Sequence, residues 1–79
     1  MKEVARRIDP GAEVYLFGSV AEGTHTLSSD IDVLVVTTAE PAELLKELWL
    51  AGVGDPFEVH VQPHRMLKLY ARRSRLIRV

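Results

Sequence analysis

The 79-residue chain contains no cysteine, which excludes disulfides and thiolate metal ligands. No apolar run is long enough to span a bilayer. Met1, Lys2 and Glu3 lead into a charged amphipathic segment instead of a signal-peptide pattern. A soluble, cytoplasmic protein with no membrane association is therefore expected. Internal repeats, low-complexity tracts and domain boundaries are also missing, so residues 1–79 read as a single domain. Neither sign of charge dominates, since the formal net charge is −1. That near-balance hides an asymmetry: every acidic residue lies at or before Glu58, whereas Arg65, Lys68, Arg72, Arg73, Arg75 and Arg78 follow it. Such a basic tail can face phosphates, an acidic partner or RNA, or can simply be a solvated helix face.

What is present fits a folded domain, with 47% hydrophobic and 27% charged residues. A chain this short buries a smaller fraction of its surface than a longer one, so association with itself or with a partner is expected to add stability. Val4, Ala5 and Ile8 recur at helical spacing and predict a helix over 2–9, ended by Pro10 and Gly11. Residues 13–17 are rich in β-branched and aromatic types and predict a strand. Residues 31–37 are apolar at almost every position, the pattern of a strand buried on both faces in the middle of a sheet. Thr37 or Thr38 can cap the following helix, with Pro41 in its first turn, Leu44, Leu45, Leu48 and Trp49 as its apolar stripe, and Gly52 closing it. By this reading Trp49 is a core residue. A third strand over 57–61 puts Phe57, Val59 and Val61 on one face and Glu58 and His60 on the other. Pro63 opens another helix, whose apolar side carries Met66, Leu67, Leu69 and Tyr70, and Leu76, Ile77 and Val79 suit a short final strand. This alternation predicts an α/β or α+β fold around one central sheet. Pairing of the first two strands can be parallel or antiparallel by linker length.

The chemistry concentrates between residues 14 and 36. An apolar strand runs into Gly18 and Ser19, a polar loop follows, and Asp30 and Asp32 then open the second strand. Residues i and i+2 of a strand share a face, so the two carboxylates lie together with Ile31 on the opposite side. Paired anions repel one another, and a hard dication removes that penalty. Magnesium suits such a site because it takes a few carboxylate oxygens, keeps water and accepts substrate phosphate. A glycine-serine turn leading into helix supplies backbone N–H donors for a phosphate, and glycine allows its close approach. Glu58 on the third strand reaches the pair if that strand lies beside the second. Asp55 is the alternative third carboxylate, although Pro56 favours a turn there. Three carboxylates around two magnesium ions would activate a hydroxyl and stabilise a leaving phosphate.

The three histidines are assigned lesser parts. His25 reads as a surface-loop residue. His60 and His64 are four apart, but Pro63 separates a strand from a helix between them, so they do not form a zinc pair on one helical face.

Gly18, Ser19, Asp30 and Asp32, in the string GSVAEGTHTLSSDIDVLVV, resemble the motif of the minimal nucleotidyltransferases in the DNA polymerase β-like superfamily. Ala21, Gly23, Ser29 and Ile31 also stand at familiar positions, while Val20 occupies a place where many relatives carry arginine. The resemblance implies an α+β fold with α/β-like alternation and a small mixed central sheet, the palm-like core of these enzymes. It implies that Asp30 and Asp32 bind two Mg2+ ions, with Glu58 as the third acidic residue. Gly18, Ser19 and Ser29 fall in the nucleotide-binding part. The implied reaction is transfer of a nucleoside monophosphate, AMP from ATP, to a hydroxyl with release of pyrophosphate. The implied partner is a helical protein of the HEPN type, this chain being the antitoxin of a toxin–antitoxin pair. The alternative is a non-catalytic subunit that binds nucleotide and neutralises or complements such a partner.

Overall fold

The computed structural model describes residues 1–17, 31–54 and 57–79. Helix α1 spans Lys2–Ile8 and stops at Asp9, whose backbone is extended just before Pro10. Strand β1 is Glu13–Phe17 and strand β2 is Ile31–Val36. Helix α2 covers Pro41–Leu50, strand β3 covers Phe57–Gln62, and a 3₁₀ turn over His64–Met66 leads into helix α3, Leu67–Arg73. Strand β4, Ile77–Arg78, completes a four-stranded sheet in the order β3-β2-β1-β4. Pairing is antiparallel for β1 with β2 and β4, and parallel for β2 with β3. The fold is α+β with a mixed sheet, and β2 lies inside it, as its continuous apolar run predicts.

The core forms where α1 and α2 cover one sheet face. Val4 and Ala5 from α1 and Leu44 and Leu48 from α2 pack with Val14, Val33 and Val35. Leu44 and Leu48 are one helical turn apart and meet the sheet together. The opposite face of β2 is sealed too, because Leu34 and Val36 are fully buried. Burial weakens only at the N-terminal end of the strand, where Ile31 and Asp32 are half-exposed. That open end faces the C-terminal end of β1.

Three local readings change. Neither Thr37 nor Thr38 caps α2, whose N-cap is Glu40. Both threonines instead hold Asp9: the Thr37 hydroxyl donates to its carboxylate at 2.6 Å and the Thr38 amide donates at 3.2 Å. Secondly, Leu45 and Trp49 are not core. Trp49 is 73% exposed and Leu45 41%. Each sits one residue beyond a buried leucine, hence about 100° further round the helix, where it overhangs the β3 edge instead of the sheet face. Thirdly, the segment after Pro63 begins as a 3₁₀ turn, and α3 has no fully buried residue, Leu69 being 44% exposed. The reading of Gly52 agrees with the structure. Its φ is 91°, and the Gly52 and Val53 amides donate to the carbonyls of Trp49 and Leu48, the paired bonds of a Schellman stop.

The Asp9 clamp gives the fold a defined acid response. The Thr37 hydroxyl, followed by the amides of Gly11 and Thr38, lowers the Asp9 pKa below its ordinary value. A carboxyl whose pKa is depressed on folding stabilises the fold above its unfolded pKa and loses that contribution as pH falls through its folded pKa. Thermal melts of wild type and Asp9→Asn should therefore differ most near neutrality, with wild type higher. The gap should close as pH drops below the ordinary carboxylate range.

Candidate active site

Strand register assembles the candidate residues. Phe17, Asp32 and Glu58 lie side by side across β1, β2 and β3. Tyr15, Leu34 and His60 form the next row on that same face. Alternation sends all six side chains away from the α1/α2 layer. The parallel pairing of β3 with β2 thus brings Glu58 directly beside Asp32. Like charges placed opposite one another in a sheet are destabilising, so the pair is a standing demand for a cation.

His60 stands beside both carboxylates, a juxtaposition outside the His60–His64 spacing considered from the sequence. Its Nε2 is 3.8 Å from an Asp32 oxygen and 3.8 Å from a Glu58 oxygen. One ligand atom from each of the three residues lies within 4.8 Å of the others. Two ligands on one ion, each about 2.1 Å away, stand no more than about 4.2 Å apart. The two histidine spacings are within that limit, and the carboxylate-rich donor set fits a divalent cation. The signal for His60 was available: it shares a strand face with Glu58. The His64 Nδ1 lies 4.0 Å from a Glu13 carboxylate oxygen.

Phe17 fixes the His60 ring from the side. Their ring centres are 5.1 Å apart in an edge arrangement, and Tyr70 of α3 stands perpendicular to Phe17 at 5.5 Å. Beyond them Phe17, Met66, Leu69, Tyr70, Arg73 and Ser74 line a cleft of about 340 Å³. A largely apolar cleft with one arginine in its lining suits a flat organic group that carries phosphate. Tyr15, one row from the acids, has its pKa raised by burial first and then by the Glu13 carboxylate, so its phenol stays protonated at neutral pH.

Gly18, Ser19, Ser29, Asp30 and the alternative Asp55 lie outside the described residues, as do Val20 and His25. Phe17 and Ile31 are the described neighbours of that interval. Asp32 is paired with Phe17.

Residues 1–78 match the family described as nucleotidyltransferase domain. A crystal structure of a protein assigned as a nucleotidyltransferase superposes with a TM-score of 0.78 at 30% identity, covering 99% of this chain and 91% of that one. No curated protein matches the chain. No helix among the described residues is long and apolar enough to cross a membrane.

Proposed function

The chain belongs to the nucleotidyltransferase domain family, and from that premise we propose a magnesium-dependent transfer of AMP from ATP to a hydroxyl on a macromolecular acceptor. The observation that carries the site assignment is the register pairing of Asp32 with Glu58 at the half-exposed end of β2. In this reading Asp30, Asp32 and Glu58 hold Mg2+, two ions in all, and Gly18, Ser19 and Ser29 hold the triphosphate. The bound metal supplies charge neutralisation for the phosphates and a lower pKa for the attacking hydroxyl. The protein contributes positioning. The carboxylates fix where the α-phosphate sits, the sealed β2 core keeps them from shifting, and the Phe17–Tyr70 cleft seats the base. The acceptor oxygen forms a bond to the α-phosphorus as the bond to the pyrophosphate oxygen breaks, so AMP is retained and pyrophosphate leaves.

The whole of residues 1–79 acts as one catalytic domain. Its partner is a helical HEPN-type protein, for which this chain serves as antitoxin. The feature favouring a partner is the apolar overhang of Leu45, Trp49 and Phe57 along the β3 edge, all at least 40% exposed. Under the second reading, a subunit that binds nucleotide without turnover, that overhang carries the main role.

Nucleotide and metal binding can be checked together by thermal melting. ATP with Mg2+ at about 100 times its Kd should stabilise the fold by about 2.7 kcal/mol, and ATP with chelator should give much less. An unchanged Tm at millimolar ATP and Mg2+ contradicts the site assignment.

A further inference from the structure

We propose that His60 is a direct ligand of the metal beside Asp32 and Glu58, and that it lets this position, read above as a Mg2+ site, bind a transition dication such as Mn2+ more tightly than Mg2+. The inference rests on the reading of Asp32 and Glu58 as metal ligands. Nε2 lies the same 3.8 Å from both carboxylates. That is too long for a hydrogen bond to either and short enough for the imidazole to share an ion with each carboxylate.

The ring has limited freedom to turn away. It is anchored on β3 in register with Leu34, which is fully buried, and it meets the edge of Phe17, itself braced by Tyr70. The imidazole is only about one-third exposed, whereas the Glu58 side chain is 57% exposed. The most constrained of the two β3 donors is therefore the nitrogen. Magnesium is hard, prefers oxygen and keeps its water, so an imidazole adds little to its binding. Mn2+ accepts carboxylate, water and imidazole together, and later first-row ions favour imidazole more strongly. A two-carboxylate, one-imidazole set consequently separates Mn2+ from Mg2+ where an all-carboxylate set does so less.

The test uses the full chain with Mn2+ or Mg2+ alone, without nucleotide. Calorimetric titration should give tighter binding of Mn2+ than Mg2+. Pulsed EPR of the Mn2+ form should show nitrogen coupling from a coordinated imidazole. His60→Gln retains bulk against Phe17 and should abolish that coupling and weaken Mn2+ binding by about tenfold or more, with Mg2+ changed much less. His64→Ala should leave both readouts as in wild type. Asp32→Asn separates the two claims. If it abolishes Mn2+ binding while His60→Gln preserves the nitrogen coupling and the Mn2+/Mg2+ ratio, the histidine assignment is overturned and the carboxylate site stands. If Asp32→Asn binds Mn2+ like wild type, the metal site itself is overturned. Circular dichroism of each variant identifies any that fails to fold, and His60→Ala then replaces His60→Gln.

Discussion

Asp32→Asn is expected to reduce metal-dependent nucleotidyl transfer by about a thousandfold while leaving the apo protein as stable as wild type, or more so. The rate effect follows from losing a carboxylate that the proposed site assigns to the metal. Metal-borne charge stabilisation is worth several kcal/mol in such reactions, and each 1.36 kcal/mol is about tenfold in rate. The stability effect has the opposite sign for a simple reason. Asp32 faces Glu58 directly across a parallel register. Removing one charge relieves that repulsion. A steady-state assay paired with a chelator-containing melt checks both. A variant that melts well below wild type would mean that Asp32 holds the strand end together, and its lost activity would then say little about metal binding.

Leu44→Ala should produce the largest loss of stability. Leu44 is fully buried between α2 and the sheet, and such truncations cost about 2–5 kcal/mol. A 79-residue domain has roughly 4–12 kcal/mol in all, from typical per-residue stability. The loss should lower Tm by roughly 10–30 °C, given typical shifts for domains of this size. Leu45→Ala, one residue along, should change Tm by only a few degrees, because Leu45 is 41% exposed on the overhang. Equal losses for the two would contradict the division of α2 into a core face and an outer face.

That division also marks what the sequence could and could not reveal. Strand β2 was legible because an uninterrupted apolar run admits little besides a central strand, and the 13–17 strand agrees residue for residue with β1. Glu58 was legible through simple alternation, conditional on β3 lying next to β2. Nothing in the local pattern fixes neighbour order, direction or register, so the parallel pairing that aligns Asp32 with Glu58 had to come from the structure. The stripe of α2 misled because helical periodicity gives direction around the axis but not the width of the sheet beneath. With β3 as the edge strand, Trp49 has no sheet beyond it to cover. Thr37 and Thr38 misled for a related reason. Their preference for capping is local, whereas the Asp9 carboxylate that engages them is 28 and 29 residues away in the chain. For His60 the spacing displays the shared strand face with Glu58 but not the nearness of Asp32, which comes from the neighbouring strand.

The proposed Asp32–Glu58 site predicts transfer of the nucleoside monophosphate, and not of a terminal phosphate. The most direct measurement compares ATP labelled at the α-phosphate with ATP labelled at the γ-phosphate, each incubated with divalent metal, the protein and candidate macromolecular acceptors. Label from the α position should become acceptor-bound and label from the γ position should leave in pyrophosphate, with both signals lost in Asp32→Asn. Acceptor labelling from the γ position, or α-labelling that survives Asp32→Asn, would contradict the account.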